Sequence, residues 1–386
     1  MRATAFLSSF DRFTIPPLLV PIHRDLGISL GTAAILASAY FVTYGLSQPL
    51  WGALSDRVGR VAVIRFAVVA GGVSCVVAAL APTFAVLLVA RTLAGLFFAA
   101  LVPSAITYIG DTVDLARRQN ALVLLMAFAT SGLACATVVG GLAAELVDWR
   151  AAFAASAVLA AVVTFLVAAL PEPSHEREAG SLRERVRAIR GQPWVLVVVG
   201  LAFLEGAVIF GSLTFVAASL QQEGVSAALA GSAAAGFGVA NVVTTPFVTR
   251  AVARIASPLL IAGGAALAAA GLSVAAIDAT VVTAVFATLA LGAGFGFLHS
   301  TLQVWATQVA PEARAVTVSL FASAIFTGGA AASAAAAPLA DDGRFGLIFL
   351  LCAGGGAALA AAGGVLRARY VRAHPSVANA EPTAVG

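Results

Sequence analysis

The chain has 386 residues, 61% hydrophobic and 10% charged, and a mean hydropathy of +1.00. A soluble domain carries roughly a quarter charged residues, so this composition excludes a surface that faces water all round. The net charge of +4 is scattered over short loops, which argues against a nucleic-acid partner and for membrane topology.

The first apolar block, Met1 to Ile22, has the length of a secretory leader. Asp11 and Arg12 interrupt its centre, Pro16 and Pro17 follow, and no small-residue cleavage pattern precedes His23-Arg24-Asp25, so it is expected to remain as span 1. Charges, Gly and Pro then punctuate the chain into twelve spans near 4–22, 31–53, 61–80, 84–109, 120–143, 151–170, 194–217, 227–248, 258–277, 281–304, 315–338 and 346–367. Each is close to the ~20 residues that cross hydrocarbon as a helix. Continuous apolar runs lack the alternation of a barrel strand, which leaves an all-α polytopic membrane protein. Cys75, Cys135 and Cys352 sit at wide spacings inside these runs, so packing is their expected role, and neither a disulfide framework nor a metal site is expected.

Every basic residue among the 22 is arginine. Alternating sides, one takes Arg2, Arg57, Arg60, Arg65, Arg117, Arg118 and the arginines of 177–190, 250–254, 314 and 367–372, while the other takes Arg24, Arg150 and Arg344. That bias puts the basic side, and both termini, in the cytoplasm of a protein of the cell's inner membrane.

The longest polar stretch divides the chain into a six-helix bundle at 1–170, a cytoplasmic linker at 171–193, a second bundle at 194–370 and a tail at 371–386. In the linker, Ser181-Leu182-Arg183-Glu184 has capping-box spacing, and Leu182, Val186 and Ile189 share a face. This predicts a short amphipathic helix on the inner leaflet, with a plain solvated linker as the alternative. The halves echo each other: Ala116-Arg117, Thr130 and Gly132 recur as Ala313-Arg314, Thr327 and Gly329, 197 residues on. Repeated six-span units are common in secondary carriers, whose site lies between the repeats at mid-membrane.

Between spans 2 and 3, Gly52-Ala53-Leu54-Ser55-Asp56-Arg57-Val58-Gly59-Arg60 resembles the G-x-L-a-D-r-x-G-r signature of the major facilitator superfamily, and Arg91-Thr92-Leu93-Ala94-Gly95 in span 4 resembles its R-x-x-q-G element. The resemblance implies two pseudo-symmetric bundles that rock about a central site. It also implies a gating role for Gly52, Asp56, Arg57, Gly59 and Arg60, whose pairs break and reform as the halves move; the alternative is that these charges only fix sidedness. Span 5 departs from the family's exporter pattern: Gly132-Leu133-Ala134-Cys135-Ala136-Thr137-Val138-Val139-Gly140-Gly141 lacks its Gly-Pro pair. The second-half copy of the loop signature, near Pro246 to Arg254, keeps little beyond its arginines.

Four ionisable residues lie at membrane depth: Asp11, Arg91, Glu205 and His299. A charge at the bilayer centre costs roughly 2.5–3.5 kcal/mol on insertion scales, so such groups face the bundle interior or a watery path. Glu205, deep in span 7, is the leading proton or substrate site, because desolvation lets a carboxyl exchange a proton; its alternative is a structural partner for an arginine. Asp11 holds the matching place in span 1, and the stretch Phe10-Asp11-Arg12-Phe13-Thr14-Ile15 resembles the first span of proton-coupled drug exporters. It lies near Met1, so a shallow position is its alternative; Arg12 points to a different face of that helix. Arg91 reads as a structural cation on carbonyls or Asp11, or as a proton-transfer or anion-binding group. His299 titrates near neutral pH if solvated and otherwise packs. Tyr40, Tyr44, Phe210, Phe237 and Trp305 are cavity-lining candidates, with packing or interfacial anchoring as the alternative. Gly292, Gly294 and Gly296 are expected at close helix contacts.

The expected function is a secondary carrier of a small organic solute, proton-coupled, exporting and monomeric, with no cofactor. No G-x-x-x-x-G-K-[ST] phosphate loop occurs. An importer or uniporter of an organic anion is the second transport reading. A non-transporting sensor would need an output domain larger than the short tail. A membrane enzyme would need a nucleophile–base set or metal ligands at depth, where the chain carries a single histidine and no H-E-x-x-H.

Overall fold

The computed structural model describes residues 1–173, 191–374 and 377, and among these the structure is helical with no strand. The helix expected at 182–189 lies outside the described residues.

Among the described residues, eleven helices are long and apolar enough to cross a membrane: Leu30–Val58, Arg60–Ala79, Phe84–Thr112, Leu115–Leu146, Trp149–Ala168, Pro193–Gln222, Ala227–Val252, Ser257–Ile277, Val281–Gln308, Pro311–Asp341 and Phe345–Ala373. They are spans 2 to 12. Span 1 comes in two pieces, Arg2–Phe13 and Leu19–Leu26, with a 3-10 turn at Pro16–Leu18 between them. Pro16 and Pro17 bring no backbone N–H, so the ladder breaks there. With that span the count is twelve, in the expected order. Several helices overrun the expected limits, span 5 from 120–143 to Leu115–Leu146, because hydropathy marks only the apolar part of a helix with polar ends.

The termini lie on what we term the basal face, and the opposite face is distal. Small residues set the helix spacing. Gly206 of span 7 abuts the backbone of Ile325, and Gly328 of span 11 abuts that of Phe203. The three glycines of span 10 do the same: Gly292 meets the Phe237 backbone, Gly294 that of Gly264, and Gly296 the Thr244 side chain. These contacts replace the hydrophobic drive that lipid does not supply.

The two halves meet where span 2 packs on 11, span 5 on 8, and span 1 on 7. At the distal end this interface is closed by two crossed helix caps. Asp341, ending span 11, accepts from Gly31 N at 2.6 Å and Ser29 Oγ at 2.9 Å at the start of span 2. Glu145, near the end of span 5, accepts from Ala228 N at 2.8 Å at the start of span 8. Each carboxylate thus takes up orphan donors and faces the positive end of a helix in the other half. The turns they meet are repeats of one another. Gly27-Ile28-Ser29 and Gly224-Val225-Ser226 stand 197 residues apart, both glycines have positive φ (61° and 84°), and both serines cap the helix that follows. Gln221 Nε2 adds a bond to the Pro17 carbonyl at 3.0 Å, beside the break in span 1. Lower down, Ser323 Oγ donates to the Gly45 carbonyl at 2.7 Å. Basal of that level the described residues make no hydrogen bond between the halves.

The letters Gly27-Ile28-Ser29-Leu30-Gly31 spell G-x-S-x-G, but no strand precedes Ser29, which caps a helix and donates to Asp341. The nearby His23 ring bonds the Ile28 carbonyl instead of Ser29. This is a helix–helix turn, not a nucleophile elbow.

Candidate functional site

Asp11 lies in the first piece of span 1 and points into the first half. Its Oδ1 accepts from Arg91 Nη1 at 2.8 Å, and Arg91 Nη2 donates to the Asp11 carbonyl at 2.9 Å. Cys75 Sγ of span 3 donates to the same Oδ1 at 3.2 Å. The guanidinium also lies over the rings of Tyr40, at 4.6 Å, and Phe153, at 5.0 Å. Both ends of the pair are fully buried, so the position near Met1 does not make Asp11 shallow. Arg91 takes both structural roles open to it, carbonyl and carboxylate partner.

Glu205 and His299 form the matching pair in the second half. Glu205 Oε1 lies 3.2 Å from His299 Nδ1. The carboxyl is fully buried, whereas the imidazole is a quarter exposed. Phe295 stacks on the imidazole at 4.5 Å, and Phe321 lies 5.5 Å away. The second oxygens of both carboxyls, Asp11 Oδ2 and Glu205 Oε2, are buried without a partner. Spans 1 and 4 therefore hold one pair and spans 7 and 10 the other, the equivalent helices of the two repeats.

Between the pairs lies an aromatic layer that crosses the interface. Phe13 and Phe41 pack on Phe210 at 5.5 and 5.8 Å, and Tyr44 meets Phe326 at 4.6 Å. Phe210 continues to Phe295, and Phe295 to Phe237. Of the expected lining residues, Tyr44, Phe210 and Phe237 thus join this layer, and Tyr40 sits behind it on Arg91. Trp305 does not join. It is buried at the basal end of the second half against Trp194, Tyr370 and Arg367, because its helical phase turns it away from the interface.

Arg12 sits in the layer. Its guanidinium lies over Phe13 at 5.1 Å, Tyr44 at 4.7 Å and Phe326 at 4.7 Å, and Nη2 donates to Ser9 Oγ at 3.1 Å.

At the basal end, Arg60 bonds Asp111 of span 4 at 2.8 Å, Asp56 at 3.3 Å and the Ser55 carbonyl at 3.3 Å. Gly59 turns with φ 114°, and a Cβ there would strike Glu172, whose carboxylate caps span 3 through Val61 N and Ala62 N. Gly52 borders open space, and Arg57 is exposed with no ion pair among the described residues. The signature loop ties spans 2, 3 and 4 together within the first half.

Sequence reasoning did not anticipate Cys75, Phe295 or Phe326. The i, i+4 spacing of Phe295 and His299 on one face of span 10 carried a signal; Cys75 carried none.

Twelve helices in two pseudo-symmetric halves, with ionisable pairs buried at mid-depth, define a helical membrane carrier. The family model described as Major Facilitator Superfamily matches residues 3–334, and the chain belongs to that family. Among curated relatives it is 26% identical to protein spinster of Drosophila melanogaster over 54% of this chain and 37% of that one. It is 33% identical to multidrug resistance protein D of Escherichia coli over 39% of each chain, and 29% identical to a chloramphenicol resistance protein of Streptomyces lividans over 67% of this chain and 69% of that one. The matches span less than half the length of the first of these relatives. In fold it is similar to a bacterial homolog of the lysosomal transporter spinster in an inward-facing, occupied conformation, with a TM-score of 0.78 at 18% identity over 95% of both chains. A nucleoside transporter superposes with a TM-score of 0.76 at 15% identity, over 95% of this chain and 99% of that one.

Proposed function

The chain is a membrane transporter of small solutes, and we propose that it is a proton-coupled exporter that works by alternating access. The observation that carries this reading is the Glu205–His299 pair, in which a dry carboxyl touches a partly solvated imidazole. No other charged group bonds to the pair among the described residues, so its net charge changes with one proton. The distal caps lie above it, and among the described residues no hydrogen bond joins the halves below Gly45. In this state the pair exchanges protons with the basal side, which we assign to the cytoplasm on the arginine bias, and the opposite state exposes it distally. A proton moving inward through 100 mV supplies about 2.3 kcal/mol for export. The rocking halves are the two bundles at 1–170 and 194–370, and the Asp56–Arg60–Asp111 cluster holds the basal ends of spans 2, 3 and 4 together as the first half moves. Export is supported by the resistance proteins among the relatives.

The test uses proteoliposomes loaded on either side with chloramphenicol or puromycin and with imposed pH gradients. Flux against the solute gradient is expected when the gradient drives protons toward the basal side, and reversal of the gradient reverses flux. Glu205→Gln is expected to exchange solute down its gradient with no response to pH. A variant that follows the pH gradient like the parent would remove Glu205 from coupling.

A further inference from the structure

We propose that Arg12 is the recognition point for the solute, and that the solute is an organic anion with a flat aromatic body, such as an aryl carboxylate. This rests on the carrier reading and names its substrate class. The mid-depth charges of this protein come with partners except one: Arg91 has Asp11, and Glu205 has His299. Arg12 makes no ion pair among the described residues. Its nearest carboxylate in the chain, Asp11, faces away into the first half and is spent on Arg91 and Cys75. Of five guanidinium N–H donors, one is used on Ser9, and Nε is buried without an acceptor.

A cation at this depth is costly, and the rings of Phe13, Tyr44 and Phe326 offset only part of that by cation–π contact. What remains is a planar fork of donors that matches a carboxylate. Its placement suits a transported ligand. Tyr44 belongs to one half and Phe326 to the other, so the guanidinium lies on the surface that opens and closes. Arg12, Phe295, His299 and Phe326 are all partly exposed, and the buried Phe210 ring links Phe326 to Phe295, which stacks on His299. A carboxylate on Arg12 would place its body against the Phe326 and Phe295 rings, where a flat aromatic group stacks. Release follows from the same geometry, because rocking parts Tyr44 from Phe326 and dismantles the cage.

The experiment measures binding to the purified full chain in detergent by calorimetry. The probes are 2-naphthoate, its neutral isostere 2-naphthamide, and decanoate, an anion without a ring. The parent is expected to bind 2-naphthoate at least about tenfold more tightly than either comparator, since a hydrogen-bonded charge is at stake. Arg12→Gln is expected to lose that preference, and Arg12→Lys to keep part of it, with a charge but no fork. Equal affinity of the parent for all three probes would overturn the proposal, even if Arg12→Gln fails to fold. So would an Arg12→Gln protein of parental melting temperature that still prefers 2-naphthoate. Loss of pH coupling in transport leaves this result standing, and a non-binding parent that still shows pH-driven drug flux sinks the anion assignment alone.

Discussion

The two repeats solve one problem in two ways. Each buries a carboxyl on its first helix and answers it from its fourth, yet the first uses arginine and the second histidine. Arg91 is always charged and sits in a dry cage of two rings, so Asp11 is held as an ion pair. His299 is partly exposed, and its ring reaches the partly open side of the interface. On the proposed reading, one pair acts as a fixed strut and the other as a switch. The lesson is that equivalent helices of the two repeats carry pairs of different chemistry, and that the cation sets the difference.

The comparison breaks most visibly if the strut is cut. Arg91→Leu leaves Asp11 buried without its cation and is expected to cost about 3–5 kcal/mol of stability, read as a fall in melting temperature in detergent. Adding Asp11→Asn to that variant should recover much of the loss, because no bare charge remains. Recovery of nothing would mean that packing, not charge, holds spans 1 and 4 together.

Making the pairs alike is the next test. His299→Arg fixes a permanent cation against Glu205, and transport is expected to lose its response to an imposed pH gradient. A variant that still follows the gradient would show that imidazole titration is dispensable. By contrast, Glu205→Gln should change the melting temperature little, corresponding to within about 1 kcal/mol, since an amide can still meet the His299 ring; a loss on the scale of Arg91→Leu would make the second pair a strut too. Smallest is Tyr40→Phe. The Tyr40 hydroxyl is buried without a partner while its ring face serves Arg91, so removal of the hydroxyl is expected to be neutral or stabilising by about 0.5–1 kcal/mol. A marked loss would reveal a hydrogen bond to that oxygen.

Much of this was legible in the chain. Apolar run lengths and the arginine bias led to all twelve helices, because lipid forces each span to satisfy its own backbone. Asp11, Arg91, Glu205 and His299 stood out as charges at depth. Their pairings did not, since partners come from helices far apart in sequence, and the alanine-rich spans mark helical phase too weakly to say which face turns inward. Trp305 went astray for that reason, and Arg12 was legible as a charge but not as a caged one. The crossed caps had a signal that went unread: the Gly-x-Ser turns at Ser29 and Ser226 follow the same repeat interval as Arg117 and Arg314. Asp341 and Glu145 carried no such signal, because a helix cap supplied by the other half leaves no local pattern.

Those caps also govern how the molecule leaves its present state. Each ties the end of a helix in one repeat to the beginning of a helix in the other, and the pair straddles the approximate twofold axis. A rigid rocking motion therefore has to surrender both together, at about 0.5–2 kcal/mol apiece by the usual worth of such caps. On the alternating-access reading proposed above, the distal door is a two-bolt latch with a threshold, released only when a bound cargo or proton compensates that toll.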